Sequence, residues 1–222
     1  MSTIKQPITQ PIKLIIFDVD GVLVKGSWPG LFAAYKALIA NEGKDYRDFF
    51  KDIEEMKKWW NPNWKENEKR IDVKDTEKAH QIFYDVAAKY VHLLSWVKPT
   101  LKRLAKKYRM AVLTNRHTQS AMKQIGPVAD FFEMIVGADQ LQSLKPNPEG
   151  VRIILDKLKV RYDDALVIGD MPVDLIAGKK AGTKTGAVIW SDGLGAEEDF
   201  NAMDFKPDFI FRSPFCFLRQ LF

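Results

Sequence analysis

The strongest constraint on this chain is a unit that recurs along it: a short apolar run, a polar or glycine-containing loop, then a helical pattern. The runs are Leu14 to Phe17, Met110 to Leu113, Ile135 to Val136, Leu166 to Ile168 and Ala187 to Trp190. Runs without polar alternation read as strands covered on both faces, the situation of a parallel sheet between helices. Val151, Ile154, Leu155 and Leu158 recur at helical spacing behind Asn147 and Pro148, which read as N-cap and first helical residue. Val173 to Ala181 reads as another helix, with Gly182 placed to stop it, and Ser213-Pro214 opens a short apolar helix near the C-terminus. The expectation is an α/β fold with a doubly wound, Rossmann-like parallel sheet.

One stretch breaks the alternation. From about Ser27 to Trp96 the patterns are helical with no convincing strand, Asn61-Pro62-Asn63 interrupts them, and Val97-Lys98-Pro99 marks a return. This predicts a core domain of residues 1–24 and 97–222, with residues 25–96 inserted as an all-helical cap domain. Gly26 and Pro99, near the two junctions, suit hinge positions.

Composition sets limits on function. With 222 residues, 46% hydrophobic and 28% charged, the chain reads as soluble and globular. Cys216 is the single cysteine, so no internal disulfide forms, which fits a reducing cytoplasm. No apolar run is long enough for a membrane, and Met1 to Gln10 lacks the apolar core of a signal peptide. The net charge of +5 suits anionic ligands such as phosphates but is too small and dispersed to argue for nucleic acid. The chain is expected to be cytoplasmic, as a monomer or homodimer.

The chemistry concentrates at the ends of the apolar runs. Ile15-Ile16-Phe17-Asp18-Val19-Asp20-Gly21 brings two carboxylates, two residues apart, to the carboxyl end of a strand, where open α/β sheets bind ligands. Val112-Leu113-Thr114-Asn115 ends a second run in a hydroxyl and an amide. Lys145-Pro146-Asn147-Pro148 puts a cation just before a helix start, and Val167 to Asp174 ends another run in Asp170 and Asp174. Each has an ordinary structural explanation alone: a loop, a strand end, a solvated lysine, a helix cap. Their order along the chain is what points to a phosphate site. A carboxylate nucleophile, a divalent cation, a lysine and amide donors together overcome the repulsion between a phosphate dianion and its attacker.

This order of motifs resembles the phosphatase branch of the haloacid-dehalogenase-like superfamily, with a helical C1-type cap as in phosphoglycolate phosphatases and β-phosphoglucomutases. The resemblance runs from Lys13 to about Ile189, through the core only. It implies Asp18 as nucleophile and Asp20 as general acid/base, with Thr114, the Asn115 backbone and Lys145 clamping phosphate. It implies a Mg²⁺ held by the Asp18 carboxylate, the Asp20 carbonyl oxygen and Asp170, with Asp174 behind them. An acid at Asp20 separates phosphatases from the dehalogenases, whose leaving halide needs no proton. Asp20 is also expected to have its pKa raised by the carboxylates around it. Val22, Lys25 and Met171 depart from frequent family residues without removing a catalytic group.

The implied function is Mg²⁺-dependent hydrolysis of a small phosphorylated metabolite through an aspartyl phosphate: a phosphoglycolate-, sugar-phosphate- or nucleotide-type substrate. A phosphomutase, a nucleic-acid end phosphatase and a non-catalytic binding protein remain as alternatives. Within the insertion, Phe49, Ile53, Met56 and Trp60 fall at helical spacing and read as cap core. Trp59 or Trp64 could instead face the leaving group, Arg47 could hold an acidic substrate, and Arg116 could reach substrate or form a surface ion pair. His80, His92 and His117 are too scattered in sequence to be assigned a role.

Overall fold

The computed structural model describes residues 11–190, 195 and 197–222, so Met1 to Gln10 lies outside the described residues. In chain order the elements are β1 (Leu14–Phe17), β2 (Val24–Lys25), α1 (Ser27–Asn41), α2 (Ile53–Trp59), α3 (Trp64–Ile71), α4 (Thr76–Ala87), β3 (His92–Leu93) and α5 (Val97–Leu104). There follow β4 (Arg109–Leu113), α6 (Thr118–Ile125), β5 (Met134–Val136), α7 (Glu149–Leu158), β6 (Ala165–Gly169) and α8 (Pro172–Ala181). The chain ends with β7 (Lys184–Val188), α9 (Glu197–Asn201), β8 (Phe209–Phe211) and α10 (Pro214–Leu221).

The main sheet has the order β5-β4-β1-β6-β7-β8, with every neighbouring pair parallel. β1 lies between β4 and β6, and alternation of side chains along it feeds two apolar cores. Ile15 and Phe17 join Leu101, Leu104, Ile125 and Phe217 on one face, while Leu14 and Ile16 join Val151, Ile154 and Ala177 on the other. This is why the run carries no polar residue: neither face meets water.

The five expected strands are present, although the one expected at Ala187 to Trp190 runs earlier, over Lys184–Val188. A sixth, β8, of three residues, joins at the edge without having been expected. The second difference lies where no strand was expected. His92–Leu93 pairs antiparallel with Val24–Lys25, forming a two-residue ribbon at the base of the helical segment. Gly26, directly after it, has φ 83°, and a Cβ there would stand 2.1 Å from the Tyr90 carbonyl oxygen. The two chain crossings are therefore packed too closely for any side chain at position 26.

Between the ribbon strands lie α1 to α4, with an apolar cluster of their own centred on Tyr35, Leu38, Ile39, Phe50, Met56 and Ile71. Helix α2 starts only at Ile53, where Asp52 caps it by accepting from Glu55 N at 2.9 Å. Phe49 thus precedes the helix and Trp60 follows it, although both still pack against this cluster. Helix α7 likewise begins one residue later than expected, at Glu149, whose N–H donates to Asn147 Oδ1 at 3.0 Å. Helix α8 ends at Gly182 as anticipated. Among the described residues, no helix is long and apolar enough to cross a membrane.

Candidate active site

Three strands of the parallel sheet end at one place. β1 delivers Asp18, β4 delivers Thr114, and β6 delivers Asp170, with Asp174 one turn into α8. All four are buried. A Cβ on Gly169 would stand 2.2 to 2.3 Å from Asp174 side-chain atoms, so a glycine at the strand end makes room for this carboxylate. Lys145, just ahead of α7, is only 5% exposed. Its Nζ donates to Asp18 Oδ1 at 2.7 Å, Asp174 Oδ1 at 2.6 Å and the Leu113 carbonyl at 3.1 Å. Asn115 fixes the approach of this loop. Its Oδ1 accepts from Lys145 N at 3.0 Å and its Nδ2 donates to Lys145 O at 3.1 Å. The Asn115 side chain is thus used to hold the loop.

Burial pushes the Asp18 carboxyl up to about 7; the charges of Asp174 and Asp20 add to this, and Lys145 only partly opposes it. Burial acts against the Lys145 ammonium too, yet Asp174 and Asp18 outweigh it and hold the lysine above its ordinary value. Both values rise: burial dominates at Asp18, while at Lys145 the two carboxylates outweigh it. Oxygens of Asp18, Asp170 and Asp174 all lie within 4.8 Å of one another. An all-carboxylate donor set fits a hard divalent cation such as Mg²⁺. Asp174, expected behind the site, contributes an oxygen to this group directly.

Asp20 departs from expectation. Burial does raise its carboxyl, but Arg116 and Ser27 outweigh burial and hold it below the usual range. Arg116 Nε and Nη2 donate to Asp20 Oδ2 and Oδ1 at 2.5 and 2.7 Å, and Ser27 Oγ donates to Oδ1 at 2.5 Å. The raised pKa inferred from neighbouring carboxylates does not hold in this arrangement, because a bidentate guanidinium is closer than they are. Arg116 is neither a surface ion pair nor an open substrate ligand here, since its side chain is 14% exposed and faces the site. No motif singles out Ser27. Its one signal is position: the first residue of α1, seven after Asp20.

Above these groups is a cleft of about 130 Å³, closed over by α1, α3, α4 and the loop between α2 and α3. Trp64 lines it, and so do Trp60, Tyr84, His80 and His117. The two histidines are far apart in sequence, and the fold brings them to one wall, with Tyr84 between their rings at 5.8 Å from each. Trp59 and Arg47 are elsewhere. Trp59 packs into the helical core against Tyr35, Phe49 and Phe50. Arg47 is exposed and pairs with Asp45 at 2.5 Å. Each has a nearer partner than any substrate in the cleft.

The loop carrying Trp60 and Pro62 to the cleft is pinned by Asn67, which is fully buried. Asn67 Nδ2 donates to Tyr35 Oη at 2.8 Å and Asn61 O at 2.7 Å, and Oδ1 accepts from Asn61 N at 2.9 Å. Asn67→Ala removes all three of these hydrogen bonds. It is expected to cost about 1–3 kcal/mol of stability, read by thermal melt. A larger fall in kcat/KM than in kcat should accompany it as the loop loosens.

A family model described as haloacid dehalogenase-like hydrolase matches residues 15–188. The chain belongs to that family. Over 206 residues it is 26% identical to a Bacillus cereus protein named pyrophosphatase PpaX, covering 90% of this chain and 91% of the relative. Its fold is similar to that of a haloacid dehalogenase-like hydrolase from Streptococcus pneumoniae, with TM-score 0.74 and 20% identity over 94% of this chain and 97% of that one. It is also similar to a subfamily IA hydrolase of the same superfamily from Geobacter sulfurreducens. There the TM-score is 0.68 and the identity 18%, over 94% of this chain and 98% of the other. Membership agrees with the resemblance carried by Asp18, Asp20, Thr114, Lys145 and Asp170.

Proposed function

We propose that this hydrolase is a Mg²⁺-dependent phosphatase that cleaves small phosphate monoesters through an aspartyl phosphate on Asp18. In this reading residues 1–24 and 97–222 carry the reaction, and residues 25–96 form the lid. The observation that carries it is the buried group of Asp18, Lys145, Asp170 and Asp174, of which Asp18, Lys145 and Asp174 line the cleft. Asp18, the Asp20 carbonyl, Asp170 and Asp174 would hold Mg²⁺, which when bound lowers the repulsion between the Asp18 carboxylate and the phosphate dianion.

Asp18 then attacks phosphorus as the ester oxygen leaves. The Lys145 ammonium, now shared with the phosphoryl oxygens, and the Thr114 hydroxyl and Asn115 N–H stabilise the charge on those oxygens. Asp20 supplies the proton to the leaving alkoxide and later takes one from the attacking water. Its carboxylate is bound by Arg116 in the present arrangement. Proton donation therefore requires Arg116 to turn away and Asp20 to take up a proton from solvent, and the phosphate group offers Arg116 an alternative partner of higher charge.

The relatives named pyrophosphatase make pyrophosphate a natural member of the substrate panel. Phosphate release from phosphoglycolate, sugar phosphates, nucleotides, pyrophosphate and p-nitrophenyl phosphate, with and without Mg²⁺, tests the proposal. Chelation should abolish release and Mg²⁺ restore it, while Ca²⁺ should not. Full activity in verified metal-free protein contradicts the reading. Turnover that needs a bisphosphate activator and releases no phosphate would instead indicate a mutase.

Metal binding should also depend on pH. A folded, metal-free Asp18 that titrates at about 7 must lose its proton before it can ligate. Apparent Mg²⁺ affinity should therefore rise between pH 6 and 8 and level off above, with proton release below pH 7. Isothermal titration in two buffers of different ionisation heat measures both. Affinity that does not change with pH contradicts the titration assigned to Asp18.

A further inference from the structure

The lid side of the cleft has a composition that the core motifs do not explain. Its walls are aromatic, with Trp60, Trp64, Phe83 and Tyr84 facing the space above Asp18. Among the described lining residues, the lid contributes no lysine and no arginine. The one fixed charge it does contribute is Glu68, whose side chain is 14% exposed. Glu68 Oε1 stands 2.9 Å from His80 Nε2, at ion-pair distance but without hydrogen-bonding geometry. His80 lies edge-on to Trp64, with ring centroids 4.5 Å apart. The cationic side chains lining the cleft, Lys145 and Arg116, belong to the floor, where Asp18, Asp174 and Asp20 already engage them.

Such walls discriminate among leaving groups. An aromatic box next to a carboxylate attracts a cation through both ring faces and charge. An anionic substituent entering the same space meets Glu68 with no lid lysine or arginine to offset it, and the largely apolar walls strengthen that repulsion. A polyhydroxylated sugar would leave most of its hydroxyls against apolar ring surface.

Resting on the phosphatase reading above, we propose that the physiological leaving group is an aromatic or otherwise apolar alcohol bearing an amino group. The rings stack on its body and Glu68 receives the ammonium. Phosphoglycolate and pyrophosphate, whose leaving groups are anionic, are disfavoured by the same feature.

The test uses three aryl phosphates whose phenols differ little in acidity: tyramine O-phosphate, 4-ethylphenyl phosphate and 3-(4-phosphooxyphenyl)propionate, with pyrophosphate as a fourth. The ammonium compound should exceed the neutral one in kcat/KM by roughly tenfold, and the carboxylate and pyrophosphate should fall below the neutral one by a similar factor. Glu68→Gln should bring the ammonium and neutral compounds to within about twofold of each other. An ammonium advantage below about threefold, or a carboxylate or pyrophosphate equal to the neutral compound, overturns the proposal. The wild-type series decides this even if Glu68→Gln folds poorly. Failure of the underlying reading looks different: no compound, including p-nitrophenyl phosphate, would then release phosphate in a manner abolished by Asp18→Asn, and both inferences would fall together.

Discussion

Asp18→Asn is expected to abolish turnover, with kcat/KM falling by at least about 10⁴-fold for every substrate. The substitution removes the attacking oxygen and one of the carboxylates grouped for the metal. The variant should fold well, because it removes a charge whose burial is unfavourable. Asp20→Asn should behave differently. It cannot transfer a proton, so kcat should fall by about 10²–10⁴-fold for alkyl phosphates. p-Nitrophenyl phosphate, whose leaving group needs no proton, should be impaired much less in its first step. Equal losses on activated and unactivated substrates would contradict the division of roles between the two aspartates.

Lys145→Met carries the second large effect, and it acts on stability as well as activity. The lysine is buried between Asp18 and Asp174, and methionine keeps most of its volume. Without the ammonium, two buried carboxylates confront each other across the vacated contact. Breaking such an arrangement costs about 3–5 kcal/mol, a fall in Tm of roughly 10 °C for a chain of this size. Activity should fall by about 10²–10³-fold on every substrate, because every substrate presents the same phosphoryl oxygens. Mg²⁺ should recover part of the lost Tm in the variant, since it supplies positive charge to the same oxygens. Uniform loss across the aryl phosphate series also separates Lys145 from Glu68, whose effect depends on the substituent. An unchanged Tm in metal-free protein would mean that the carboxylates accept a proton or water at little cost.

The sheet was legible because its strands are buried on both faces. Leu14 to Phe17 and Leu166 to Ile168 contain only apolar residues, and the carboxylates that follow them mark the strand ends. The β2–β3 ribbon escaped because two residues cannot display a period. The floor of the site was legible too, since Asp18, Lys145, Asp170 and Asp174 come together through regular strand and helix ends. The lid was not. Its wall depends on how four helices rotate about their axes, and a tryptophan facing the cleft has the same sequence context as one facing the core. Trp59 and Trp64 lie five residues apart and separate on that point alone. Arg116 illustrates a further limit. Its contact with Asp20 joins residues 96 positions apart, and it reverses the pKa shift that nearby carboxylates would otherwise cause.

The central claim is that phosphate passes through a covalent bond to Asp18. The most direct measurement is rapid quenching of the Mg²⁺-loaded enzyme during turnover of p-nitrophenyl phosphate, followed by borohydride reduction and peptide mapping. An acyl phosphate is reduced under these conditions, so Asp18 should be recovered in part as homoserine. That product should be absent without substrate and absent from Asp18→Asn. Asp20→Asn, slowed in the attack by water, should accumulate more of it than wild type. Turnover with no modified residue in Asp20→Asn, or modification at any position other than Asp18, would contradict the account.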